Sequence, residues 1–145
     1  DSVSAAIGDV KFMMSASAWT NGVGGQENDV TYQPTCEIRN NSKKAVTYGG
    51  SGSNCEVIIT GVLTDKNGIY REQAKRLGKE YPMTYVGENG SAPAGEKYEV
   101  KDFKLVAVGK GLYMEGSKVV TTFTYNGRKA VFTEYNNGNI TSKVE

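Results

Sequence analysis

Alternation of apolar and polar residues begins early in the chain. Val10, Phe12, Met14, Ala16 and Ala18 fall on one side of residues 9–19, and Lys11, Met13, Ser15 and Ser17 on the other. A period of two is that of a half-buried strand. Residues 20–29 hold three glycines and no apolar period, so they read as a loop. A second strand follows at 30–38, with Val30, Tyr32, Pro34, Cys36 and Ile38 on one face and Thr31, Gln33, Thr35 and Glu37 on the other. Proline has no N–H to give to a ladder, so Pro34 predicts a sheet edge or a bulge.

Asn40-Asn41-Ser42-Lys43-Lys44 is a polar turn, 45–48 a short strand and 49–54 a loose glycine-serine loop. The longest strand signal covers 55–64 and closes on Asp65-Lys66-Asn67-Gly68, with the return strand beginning at Ile69-Tyr70. Asn-Gly between apolar runs marks a type I′ hairpin, which needs positive φ at both central positions. Residues 71–79 alone have helical character, with Gly78 as a C-cap; a polar crossover fits them equally. A further strand is read at 81–86, and 87–95 is rich in turn residues. Within 97–108, Tyr98 and Val100 are out of phase with Phe103, Leu105 and Ala107, which predicts a bulge near Lys101-Asp102. Residues 119–125 and 128–135 flank Asn126-Gly127 as the cleanest hairpin, and residues 1–8 and 136–145 read as frayed ends. Seven or eight strands at intervals near ten residues, with no βα repeat, predict one all-β domain over 1–145, an antiparallel β-sandwich.

Composition supports that reading. Fifteen Val, six Ile and twelve Thr stand against four Leu, and branching at Cβ suits a pleated surface. Lys+Arg 17 against Asp+Glu 16 leaves a net +1, which gives no electrostatic basis for binding nucleic acid or an anionic membrane. No run approaches the roughly 20 apolar residues that span a bilayer, so no membrane insertion is expected. The chain opens Asp1-Ser2-Val3-Ser4, which reads as a mature start after signal removal or as an engineered one. Cys36 and Cys55 are the only cysteines, and they lack the spacing of a zinc or thioredoxin-type motif. The pair reads as a disulfide between adjoining strands, closing a loop comparable with the roughly 15-residue case worth about 3 kcal/mol. Two buried thiols are the alternative. The sequons at Asn40, Asn89 and Asn139 lie in or beside turns and read as chance in a chain rich in Asn, Ser and Thr.

Three segments carry a resemblance: Glu37-Ile38-Arg39-Asn40-Asn41-Ser42, then Asp65-Lys66-Asn67-Gly68, then Pro93-Ala94-Gly95-Glu96. Their order is similar to that in small extracytoplasmic bacterial immunoglobulin-like domains of the FxLYD type and in the proteinase-inhibitor-like BsuPI family. It resembles more loosely the non-catalytic barrels of transglutaminases. The likeness covers residues 30–108 and implies an immunoglobulin-like sandwich acting as an accessory module of a secreted, periplasmic or cell-surface protein. The chain departs from these families in its 49–54 loop and its paired cysteines, and the resemblance assigns no functional residue.

The absence of histidine excludes Ser-His-Asp and Cys-His catalysis and every metal site that needs imidazole. Glu80, Glu88, Glu96, Glu99 and Asp102 surround the middle loops, but no spacing among them selects a catalytic pair. Asp65-Lys66-Asn67-Gly68 begins like a calcium loop and lacks the later acidic ligands. Gly22-Val23-Gly24-Gly25 is not followed by the helix a phosphate loop needs. No cofactor is therefore expected, and the chain reads as non-enzymatic. Nine tyrosines and one tryptophan supply aromatic area with a polar handle, the composition of recognition surfaces. Trp19, beside the glycine-rich loop, and Tyr70, Tyr81, Tyr85 and Tyr113, near turns or strand ends, are the candidate binding residues for a protein or glycan partner. The same residues as core or its margin are the plainer alternative. A proteinase inhibitor presenting 87–95 or 49–54, and a structural subunit joining through edge strands, are the other functional readings.

Overall fold

The computed structural model describes residues 2–21, 30–65, 84–86, 89–100, 104–107, 112–135 and 137–145. Among them every regular element is a strand. The first half of the chain supplies β1 (Ser2–Ile7), β2 (Val10–Asn21), β3 (Val30–Asn40), β4 (Val46–Tyr48) and β5 (Cys55–Asp65). The second half supplies β6 (Thr84–Val86), β7 (Gly90–Ala92), β8 (Glu96–Val100), β9 (Lys104–Ala107), β10 (Leu112–Tyr125), β11 (Arg128–Tyr135) and β12 (Ile140–Val144). The described residues thus form more strands than the seven or eight expected. The expected Asn67-Gly68 hairpin, the helical reading of 71–79 and the irregular pair Lys101-Asp102 lie outside the described residues.

Two six-stranded sheets result. The first runs β1-β2-β3-β9-β6, with β8 also pairing β3, and the second runs β12-β11-β10-β5-β4-β7. All pairings are antiparallel except one parallel contact between β4 and β5 at Tyr48 and Cys55. Both ends of the chain are strands, not frayed tails. β1 pairs β2 from Ser2–Ser15 to Ile7–Val10, and β12 pairs β11 from Glu134–Ile140 to Ala130–Val144. The two edges also meet, the Ser142 hydroxyl donating to the Ser4 carbonyl at 2.7 Å.

The alternation read from sequence decides which side chains face inward. Val10, Phe12 and Met14 of β2 and Tyr32, Pro34, Cys36 and Ile38 of β3 are buried, while Lys11, Gln33 and Thr35 are exposed. At Pro34 the pattern breaks. Ser15 pairs Thr35 and the next pair is Ala18 with Gln33, so Ala16 and Ser17 stand opposite Pro34 alone. On the other side Cys36 pairs Val100 and Tyr32 pairs Leu105. The β8–β9 segment therefore advances five residues (100 to 105) while β3 recedes four (36 to 32). A residue without an N–H interrupts the ladder, and both neighbours of β3 slip by one residue beside it. Of the two readings of Pro34, the bulge holds and the edge position does not. The slip also brings Trp19, Tyr32, Leu105 and Tyr85 into one cross-strand row of the first sheet.

Pro34 divides the interior. On the side of the Asn126-Gly127 turn lies an apolar cluster drawn from both sheets, in which Phe12 stacks on Phe123 at 4.7 Å and Phe132 meets Phe123 edge-on at 5.9 Å. On the other side a smaller cluster joins Tyr32 and Val119, with Ile59 packed against them.

Cys36 and Cys55 lie in the apolar cluster as free, buried thiols, which corrects the expected disulfide. Burial, then the charge of Cys55, then that of Glu37 push the Cys36 thiol far up. Burial and then Glu56 push Cys55 up to about 12. Disulfide formation needs a thiolate, and these surroundings suppress it.

Candidate functional site

The turns at one end of the stacked sheets are each set by local chemistry. Gly8, between β1 and β2, has φ +59°. Asn126 and Gly127, between β10 and β11, have φ 49° and 73°, as the type I′ reading requires. The turn after β3 is built around Asn40, which is fully buried. Its Nδ2 donates to the carbonyls of Lys44 (2.7 Å) and Ala92 (3.0 Å). Its Oδ1 accepts from the Ser42 N–H (3.0 Å) and hydroxyl (2.6 Å). One side chain thus ties the β3–β4 turn to the end of β7. The Asn41 N–H donates to the Asp9 carbonyl at 2.9 Å and joins this turn to the one between β1 and β2.

These turns frame a depression of about 410 Å³, lined by Gly8, Asp9, Ser42, Tyr125, Asn126 and Arg128 among others. Asp9, Asn126 and Arg128 are exposed, Ser42 is half-buried, and Tyr125 forms buried floor. A carboxylate, a primary amide and a guanidinium together offer acceptors and a planar fork of donors. Such a set is suited to polar ligands. Lys43 and Lys44 are exposed on the adjoining turn, so the rim carries a basic excess.

Two other concavities are less suited. One, of about 410 Å³, lies beside Thr35, Cys36, Glu37, Lys97 and Glu99. There Glu37 is already engaged by Arg39 at 3.4 Å and Lys97 at 3.9 Å. The other, of about 320 Å³, is walled largely by Gly49, Gly50, Gly52 and Ser53 against Tyr48 and Cys55. That loop is braced, not loose. The Ser53 N–H donates to the Gly50 carbonyl (3.2 Å), and Ser53 Oγ accepts from the Gly50 N–H (3.0 Å). Asn54 Oδ1 accepts from the Thr47 N–H at 2.8 Å, and its Nδ2 donates to the Ala45 carbonyl at 2.8 Å.

Among the described residues, the aromatic candidates Trp19, Tyr85 and Tyr113 do not gather at the turn end. Trp19 pairs Tyr32 within β2, Tyr85 pairs Leu105 within β6, and Tyr113 pairs Thr64 within β10. All three are strand positions on the backbone, away from the framed depression. Tyr70 and Tyr81 lie outside the described residues, as do Glu80, Glu88 and Asp102. The expected 87–95 loop contains strand β7. Of the three sequons, Asn40 has its amide fully committed in the core, while Asn89 and Asn139 are exposed. Asp9 and Arg128 were not indicated by any motif; the Asn-Gly turn and the polar turn holding Ser42 were the legible parts of this site. No family model matches the chain, and neither the curated proteins nor the solved structures give a match.

Proposed function

We propose that this protein is a non-enzymatic binding module with an immunoglobulin-like arrangement of its stacked sheets, recognising a protein or glycan partner through the turns at one end. The observation that carries the reading is the cross-bracing of those turns. Asn40 and the Asn41–Asp9 hydrogen bond hold them before any ligand arrives. Groups ordered in advance lose little entropy on binding, and polar turns on a rigid scaffold are where recognition residues concentrate. Export, as a secreted, periplasmic or cell-surface protein, rests on the resemblance to accessory modules of exported proteins.

The test applies labelled wild type and an Asp9→Ala/Arg128→Ala variant to a glycan array and to a panel of extracellular proteins. Binding by the wild type that disappears in the variant, with an unchanged melting temperature, is the expected result. Binding that survives the double substitution overturns the assignment of the site, and no binding on either panel overturns the module.

A second reading has one specific support. The braced loop at 49–54 has the rigidity that a proteinase-inhibiting loop needs, because its turns and Asn54 restrain it on both sides. Stoichiometric inhibition in a protease panel at nanomolar protein would select that reading, and its absence removes it. Assembly through edge strands is the weaker alternative, since the β1 and β12 edges are engaged with each other.

A further inference from the structure

Thr121 lies on β10 between Val119 and Phe123, all three buried. Its side-chain oxygen has no hydrogen-bond partner, although the residue is only 1 % exposed. A hydroxyl withdrawn from water with nothing in exchange weakens folding roughly tenfold or more, so an inward position held by threonine instead of valine calls for a polar neighbour. The register supplies one. Thr121 stands opposite Phe132 and Val119 opposite Glu134, which makes Thr121 and Glu134 diagonal neighbours on the same inward face. Glu134 is itself 2 % exposed and accepts from the Tyr32 hydroxyl of the other sheet at 3.4 Å. A carboxylate accepts up to about four hydrogen bonds, so it can hold Tyr32 and a further donor together.

Diagonal positions on a sheet are about 7–8 Å apart at the backbone. A water hydrogen-bonded to two oxygens at a near-tetrahedral angle spans about 4.5 Å between them, and inward-leaning side chains bring the two oxygens closer than their backbones. We infer that Thr121, Glu134 and Tyr32 form an internal site for one ordered water molecule, which bridges the Thr121 hydroxyl to the Glu134 carboxylate. The water donates one proton to the carboxylate and satisfies Thr121 through its oxygen. Through Tyr32 the bridge ties β10 and β11 of the second sheet to β3 of the first. A neutral hydroxylic molecule fits better than a cation, because Thr121 and Tyr32 bring hydroxyls and Val119 and Ile59 bring only hydrocarbon. A chain of this length is expected to hold a few buried waters, about one per 27 residues.

Two measurements test the site. Thr121→Val is nearly isosteric and removes only the hydroxyl; its folding equilibrium constant is expected to fall roughly tenfold, because the water loses an anchor. A rise in stability overturns the proposal, since valine improves a position only where the hydroxyl was truly unsatisfied. In the wild-type protein, water-to-protein NMR cross-relaxation is expected to show a long-lived water beside Thr121. Absence of that signal overturns the proposal even if the valine variant fails to fold.

Discussion

The two halves of the interior, separated at Pro34, are built on opposite principles. On the turn side, rings and thiols fill the space: Phe123 meets both Phe12 and Phe132, and Cys36 and Cys55 behave as small hydrophobes in the same cluster. On the far side, a tyrosine, a glutamate and a threonine occupy inward positions beside Val119. Apolar contact is indifferent to direction, so the first half gains stability from area and fit. Buried polar groups must meet partners at set distances, so the second half gains register at little net stability. The cross-braced turns stand on the first half, which gives them a rigid foundation.

The comparison predicts unequal responses. Phe123→Ala removes both ring contacts and is expected to lose about 3–5 kcal/mol in urea denaturation; a loss near 1 kcal/mol would erase the contrast. The thiols come next. Below the ordinary thiol value of 9.0 both are protonated whether the chain is folded or not. Above it the unfolded chain gives up its protons first, because burial holds the folded thiols up. Stability is therefore complete below pH 9.0 and falls as pH rises toward the folded value of about 12 for Cys55. The slope is at most about 1.4 kcal/mol per pH unit per thiol. Denaturation midpoints between pH 8 and pH 11 are expected to fall less steeply in a Cys36→Ala/Cys55→Ala variant, and parallel curves would contradict the buried-thiol account. The smallest effect belongs to the far half. Tyr32→Phe deletes one long hydrogen bond to Glu134 and is expected to cost about 1 kcal/mol, read from thermal melts. A loss as large as that of Phe123→Ala would make the polar half the stronger of the two.

Much of the sheet structure was legible along the chain because a strand with one wet face writes a period of two into its residues. The segments around Phe12, Cys36 and Phe123 show this, and Asn126-Gly127 announced its turn by the only common residues that accept its dihedrals. β1 and β12 escaped notice because edge strands bury little: β12 reads Ile-Thr-Ser-Lys-Val, half polar and short. Of the aromatic candidates, Trp19, Tyr85 and Tyr113 fall on strands. Tyrosine and tryptophan suit a half-buried strand as well as a binding loop, and periodicity cannot separate the two. The cysteines were read as a disulfide, with two buried thiols as the alternative, and it is the alternative that holds; strand patterning places both residues inward but does not say how their sulfurs meet.

Local pattern, then, determined the β character of the described residues, their best hairpin, a choice between edge and bulge at Pro34 and the exclusion of imidazole chemistry, because each follows from a few neighbouring residues and the backbone's own rules. Only the tertiary structure decided that Asp9, Ser42, Asn126 and Arg128 share one rim and that Tyr32 reaches Glu134 across the sheets. Those meetings join residues up to 119 positions apart (9 and 128), and no short-range preference of the chain encodes which distant turn will be its neighbour.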